Sequence, residues 1–512
     1  MFISNAGINS VAVDVIFAVF MILATFAVLI TGAWLLIKFI GKDKNTAPKD
    51  DKIFIKIMAV LLFFGVVVRV VLALCIKGYR EDYEIITSAM EHISLKGFKG
   101  YYPSDGIILY PLTLFIYALP ALIANAVGLT ASSFGMALLV KLPLIIADFV
   151  SAILLYKLAA KYVNRYVGTI VSGIFLLSPV FMISSSVWGS TYSLLTLGLL
   201  FCLYFMVGKN YLGLFASYTA STLIMKEALY LFPLFAVFIV YGFVKALQKA
   251  SKEKMSASEI WNDEGACQVI RTPIYLVASV VIAYLISLPT FVFDYGAGFF
   301  GWIYRFSLKP LADAAKFGYN SLGIFNIFAK NGDLLGANFP TVVFAVIFAV
   351  IVLGITLLVY LSKKNRANLA FLSGYLIYTL ATYYVDFSAL TLIPVLAIFL
   401  LSFILIKDRR ILQVFSFLSL TVLVNSVSVL ISAGYLNNAS EYLFDSSFYT
   451  GTSLLNVGAG MAVSIVCSVV TVLTHLYSTL ILLDLAMSSR RKLLSYNNSV
   501  SMAKSFTLWM KP

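Results

Sequence analysis

Asp82 stands where a carboxylate can do proton chemistry at the edge of a membrane. It lies in Gly78-Tyr79-Arg80-Glu81-Asp82-Tyr83-Glu84, just beyond an apolar run that ends near Ile76 and carries Arg69. Charge beside hydrocarbon is costly and is usually kept for a function. A carboxylate at such a mouth suits general-base work, taking the proton of an attacking group or orienting it. Arg80 and Glu81 flank it and are placed to tune its proton affinity. The competing reading is a solvated run of loop charges. Lys226 is the candidate cation for an anionic group. It sits near the end of another apolar segment with Glu227 beside it, although a lysine at a helix end also simply snorkels.

The elements that must position these residues are membrane helices. Of the 512 residues, 61% are hydrophobic and only 12% are charged, and the mean hydropathy is +0.96. Soluble globular chains do not have that balance. Apolar runs of about 20 residues, each able to cross about 30 Å of hydrocarbon, recur along the chain. Their length excludes a barrel, whose strands are short and alternating. The expected fold is an all-α polytopic bundle of about 13–14 apolar segments with a large first outer loop. The segments fall near 11–38, 52–76, 108–128, 134–156, 167–187, 191–208, 211–228, 229–246, 272–294, 339–361, 368–385, 387–406, 410–433 and 456–484. These divide into an extra N-terminal helix and loop (1–50), a first membrane module (51–246), a cytosolic loop (247–271), a second membrane module (272–484) and a basic tail (485–512).

The net charge of +14 resides in short loops, so it orients helices rather than binding nucleic acid. Lys42, Lys44 and Lys49, then Lys157, Lys161 and Arg165, then Lys245, Lys249 and Lys252 mark cytosolic links. Regions 77–107, the turn at Trp188, 295–338 and 434–455 then face the other side. One count does not close. Loop 77–107 is outside and 157–166 is inside, yet two apolar segments lie between them. The sequence favours 108–128, with Pro111 and Pro120, as a broken or re-entrant element; the alternative is that the uncharged link 129–133 is cytosolic and the 157–166 charges break the rule. Four scattered cysteines and two histidines support neither a disulfide framework nor a metal site. Within the membrane, Lys141 and Asp148 are seven residues apart on one helix face and are expected to pair with neighbouring helices. Asp386 is placed at an outer helix end.

Four stretches, in order, resemble the GT-C superfamily of integral-membrane glycosyltransferases. Arg69 followed by the Gly78–Glu84 segment resembles the family's first-loop acid, which maps onto Asp82. Leu109-Tyr110-Pro111-Leu112-Thr113-Leu114 is similar to its Asp-Tyr-Pro-Pro-Leu-Thr element. Ser178-Pro179 with Ser186-Val187-Trp188-Gly189-Ser190-Thr191-Tyr192-Ser193 resembles its Asn-Pro and Trp-Gly-Gln-x-Asp-Ser pattern. Met225-Lys226-Glu227-Ala228-Leu229-Tyr230-Leu231-Phe232-Pro233 is similar to its Lys-Gln-x-Ala-Leu-Tyr-x-x-Pro stretch.

The resemblance implies transfer of a hexose from a polyprenyl-phosphate carrier to a glycan, lipid or protein acceptor on the extracytoplasmic side. Asp82 and Glu81 are then the catalytic acids. Lys226, Arg69, Arg80 and Tyr110 are the donor-phosphate residues, and Trp188, Tyr192, Asp105 and Glu227 the sugar or acceptor contacts. The implied partners are the lipid-linked sugar, membrane lipids and a membrane protein, with no nucleic acid. The expected compartment, read from the sequence itself, is a plasma membrane or the endoplasmic reticulum with a lumenal site, and a prokaryotic plasma membrane is favoured. The departures are specific. Leu109 replaces an acid, with Asp105 four residues upstream; Ser190 and Tyr192 replace Gln and Asp. Relatives that use a divalent ion hold it with acids, so any metal site here would be impoverished, and no other cofactor is implied. Two rival readings stay open: a non-catalytic member that binds a lipid-linked glycan or assists an enzyme, and a transporter of such a lipid.

Overall fold

The computed structural model describes residues 10–40, 51–102, 109–131, 133–292, 298–304, 322–324, 327, 339–362, 366–383, 388–432 and 457–487. Asp105, Asp386 and most of the loops 295–338 and 434–455 lie outside the described residues, as do the side chains of Arg80 and Glu81. Among the described residues the chain is 88% helical with no strand, and eight helices are long and apolar enough to cross a membrane. An all-α solution follows from the solvent, because hydrocarbon satisfies no backbone donor or acceptor and a helix pairs its own. The chain is a multi-pass membrane protein.

The first half runs α1 (Ser10–Phe39), α2 (Asp51–Cys75), α3 (Arg80–Lys96), α4 (Pro111–Val127), α5 (Phe134–Tyr162), α6 (Arg165–Leu177) and α7 (Pro179–Met182). A π-helical turn Ile183–Trp188 leads into α8 (Tyr192–Val207) and α9 (Tyr211–Thr222). A 3₁₀ turn Lys226–Leu231 opens α10 (Phe232–Lys252), followed by α11 (Ala257–Asn262) and α12 (Gln268–Ser287). The rest comprises α13 (Phe299–Ile303), α14 (Phe339–Ser362), α15 (Arg366–Tyr383), α16 (Leu392–Ile406), α17 (Arg409–Ser432) and α18 (Val457–Met487).

Two expected segments are interrupted where the backbone chemistry changes. The run 167–187 is not one helix. Pro179 lacks an amide hydrogen and cannot continue α6, so α6 ends at Leu177 and the axis bends by 49°. The π turn then ends at Gly189 in the left-handed region, φ +84, where a glycine carries no Cβ penalty. The expected boundary at 228/229 also moves. α9 stops at Thr222, and Lys226 and Glu227 lie in the 3₁₀ turn that starts the next helix.

The two ends of the bundle are identified by polar ties. At the basic end, the Asn164 side chain accepts from the Val167 amide at 2.9 Å, capping α6, and donates to the Phe39 carbonyl at 2.9 Å. The links after α1 and after α5 therefore share one end. Arg410 pairs there with Asp408 and Asp484 at 2.7 and 2.8 Å, joining α17 to α18. At the other end, the Tyr79 amide donates to the Trp188 carbonyl at 3.1 Å.

Both termini of α4 are tied to the Trp188 end. The Leu112 amide donates to the Leu223 carbonyl at 3.0 Å, and the Thr113 hydroxyl donates to the Ile224 carbonyl at 3.1 Å. That strand of backbone adjoins Thr191, whose hydroxyl contacts Met225 Sδ at 3.5 Å. After α4, the Ala131 carbonyl accepts from the Tyr83 hydroxyl at 2.8 Å. Tyr83 is the neighbour of Asp82. α4 therefore does not traverse the bundle, and α5 starts where α2 ends.

The core has two parts. The larger one is centred on α16, whose residues from Leu392 to Ile404 are all buried, between α8, α15 and α17. The smaller one lies at the Trp188 end. It packs α3 residues Tyr83, Ile86 and Met90 against Leu114, Tyr117 and Ala121 of α4 and Met136 and Val140 of α5.

Candidate functional site

Asp82 occupies the third position of α3, counted after the cap residue Tyr79. A carboxylate there lies in the positive field of the helix N-terminus, worth about 0.3–1 kcal/mol at an exposed site. Its Oδ2 accepts from the Trp188 indole Nε1–H at 2.8 Å. The indole stacks on Tyr79, with centroids 4.6 Å apart and planes 18° from parallel. Asp82 is partly exposed while Trp188 is buried, so the carboxylate has an indole donor on one side and access on the other. The Tyr117 ring of α4 is fully buried within electrostatic reach of Asp82, and its hydroxyl has no hydrogen-bond partner.

Gly78 makes this juxtaposition possible. Its φ is +114, and a Cβ there would meet the Trp188 carbonyl oxygen at 2.5 Å. Only glycine lets the link 76–79 lie against the Trp188 turn. Lys141 secures the same turn from below. It is fully buried, its ammonium donates to the Ile76 carbonyl, and its stem packs 3.6 Å from the Cβ position of Gly189. Ile76 follows the last residue of α2, so the ammonium meets the negative end of that helix dipole.

The stretches singled out in the sequence converge on this end. Tyr192 donates to Glu227 Oε1 at 3.0 Å and accepts from the Thr391 hydroxyl at 2.7 Å. This buried chain joins α8, the Lys226 turn and the turn before α16. Tyr110 caps the N-terminus of α4 and is buried, beside the Leu109 carbonyl that accepts from Tyr102 at 2.7 Å. Lys226 is partly exposed at the start of its 3₁₀ turn.

Arg69 is placed elsewhere. It is fully buried in α2, with Nε on Asp148 Oδ2 at 3.1 Å and Nη1 on the Leu176 carbonyl at 2.7 Å. The pairing of Asp148 with a neighbouring helix agrees with the expectation for an intramembrane acid. It commits Arg69 to a protein partner rather than to an open phosphate position.

Three participants were missed in the sequence. Thr391 lies 199 residues from its partner Tyr192. Tyr117 looks like one more aromatic in an apolar helix. Lys77 stands in plain view between Ile76 and Gly78. Its side chain is buried, and burial pulls its ammonium below its ordinary value. Burial likewise pushes the Tyr83 phenol up, keeping it a donor to Ala131.

Among the described residues no three His, Cys, Asp or Glu side chains come together in a metal-binding group. A buried imidazole, His475, lies apart from the site among Tyr375, Tyr378 and Tyr383, with Nε2 at 2.8 Å from the Thr379 hydroxyl. No family model matches the chain, and no curated protein matches it.

Proposed function

We propose that this protein is a membrane glycosyltransferase that moves a hexose from a polyprenyl-phosphate carrier to an acceptor at the Trp188 end of the bundle, on the extracytoplasmic side of a prokaryotic plasma membrane. The observation that carries the reading is the 2.8 Å hydrogen bond from Trp188 Nε1 to Asp82 Oδ2. It joins the first and third of the resembling stretches, residues 106 apart in sequence, at one partly exposed carboxylate.

In this reaction Asp82 takes the proton of the acceptor hydroxyl as its oxygen attacks the anomeric carbon. The bond from that carbon to the phosphate oxygen breaks, and its electron pair leaves on the carrier phosphate. Lys226, with Lys77 near the same mouth, offsets the developing charge. Tyr192 and Glu227 order the wall around the sugar. Arg69 holds α2 to α5 through Asp148 and takes no part in donor binding.

A non-catalytic protein that binds a lipid-linked glycan is the second reading, favoured by Leu109 and Tyr192 standing where the resembling motifs carry acids. Incubation of the protein in nanodiscs with radiolabelled polyprenyl-phosphate hexoses separates the two. Time-dependent release of free polyprenyl phosphate supports the enzyme. Saturable donor binding without release supports the second reading.

A further inference from the structure

A phenol buried without a hydrogen-bond partner is a cost that folding does not require, because phenylalanine fills nearly the same volume and strands no hydroxyl. Tyr117 is 0% exposed, and among the described residues its hydroxyl meets no donor or acceptor. Its place is fixed from two sides. One turn earlier in α4, the Thr113 hydroxyl is bonded to the Ile224 carbonyl, next to Met225, whose Sδ meets Thr191 just beyond the Trp188 turn. The ring itself packs in the cluster that holds Tyr83, the neighbour of Asp82. The charge of Asp82 acts on the Tyr117 hydroxyl, and α4 brings no charged residue of its own.

A hydroxyl proton with no fixed acceptor turns to suit the local field, and in apolar surroundings that field is weakly screened. We propose that Tyr117 is a positioning residue for Asp82: its hydroxyl dipole holds the carboxylate in the ionised form, while the Trp188 indole fixes where Oδ2 points. The inference rests on the reading of Asp82 as the base of the transfer reaction. It gives each neighbour its own task, since Trp188 aims the base and Tyr117 keeps it deprotonated. The stranded hydroxyl is then a local rule broken at a functional site and offset by packing elsewhere. Around Asp82, the link before α3 brings Lys77, α5 brings Lys141, the turn that opens α10 brings Lys226, and α3 itself brings Arg80, Glu81 and Glu84. The turn Ile183–Trp188 brings no charge. Tyr117→Phe leaves all of these in place.

The test reads Asp82 directly. Protein carrying 5-fluorotryptophan is held in nanodiscs, and the fluorine resonance of Trp188, assigned by its loss in Trp188→Phe, is followed against pH. The step that Asp82→Asn abolishes is the titration of Asp82. In Tyr117→Phe its midpoint should rise by about one pH unit, the order of a hydrogen bond to a charged group, because a neutral donor favours the charged form. Thermal unfolding of Tyr117→Phe should match or exceed that of the wild type, since the variant loses an unpartnered hydroxyl and almost no volume. An unchanged or lowered midpoint overturns the proposal. So does unfolding well below the wild type, which would make the hydroxyl a packing contact. Hexose transfer is assayed in parallel, and its acid limb should move up with the midpoint. Absence of transfer from the wild type would end the glycosyltransferase reading, and the fluorine titration would still decide what Tyr117 does to Asp82.

Discussion

The buried Arg69–Asp148 pair gives the sharpest quantitative test of how the bundle is held. The guanidinium and carboxylate are 0% and 2% exposed, with Nε to Oδ2 at 3.1 Å. Removing one partner leaves an uncompensated charge where water cannot reach. Such a loss costs about 3–5 kcal/mol. Arg69→Met and Asp148→Leu are each expected to destabilise by that order, whereas the double variant should recover most of the loss, because two apolar side chains replace two desolvated ions. The coupling is therefore expected to exceed about 2 kcal/mol, well above the few tenths expected of independent sites. Thermal unfolding in detergent can be followed with a fluorogenic thiol reagent once the exposed Cys75 is replaced by serine, since Cys202, Cys267 and Cys467 are buried. Each single variant should unfold several degrees below the wild type. If Arg69→Met unfolds with the wild type and instead loses donor binding, the structural assignment of Arg69 is wrong.

Gly78→Ala should displace the link before α3, since its Cβ would overlap the Trp188 carbonyl and its positive φ adds about 1–2 kcal/mol of strain; transfer activity should fall more steeply than thermal stability. Trp188→Phe removes a donor to a carboxylate, worth about 1.5–3 kcal/mol, and should lower sugar transfer by roughly 10- to 100-fold with little change in melting. Lys77→Met should weaken binding of the donor lipid more than that of the free polyprenol, as measured by competition. At the basic end, the Lys249 side chain, then the Ala266 and Gly265 amides, hold the Asp263 carboxyl below its ordinary value. A depressed folded-state value stabilises the turn above the unfolded carboxylate range and is lost as pH falls through the folded value. Trp261 fluorescence should thus be flat above about pH 5 and change only below about pH 4.

Apolar length made the helices legible, because hydrocarbon forces the backbone to satisfy itself wherever about 20 apolar residues run together. The mouth position of Asp82 was legible too, as charge next to such a run. Helix interruptions were harder. The 49° bend follows from Pro179, but the π turn to Trp188 depends on its packing over Lys141 and Gly78. The break after Thr222 depends on Leu223 and Ile224 accepting bonds from α4. Neither has a local signature. The parity of the basic loops singled out α4, and both of its ends are tied to the Trp188 end through Leu223 and Tyr83. Pairings across long separations were beyond reach. Arg69 and Asp148 are each recognisable as needing a partner, but nothing in either segment names the other. Thr391 is an ordinary threonine until the turn before α16 sets it against Tyr192.

The most direct test of the central claim is hexose transfer by purified protein in nanodiscs, comparing wild type with Asp82→Asn at matched thermal stability. The account predicts measurable transfer by the wild type and a loss of at least about 100-fold in the variant, the scale of a positioned general base. Equal transfer by the two proteins would contradict it and remove Asp82 from the chemistry.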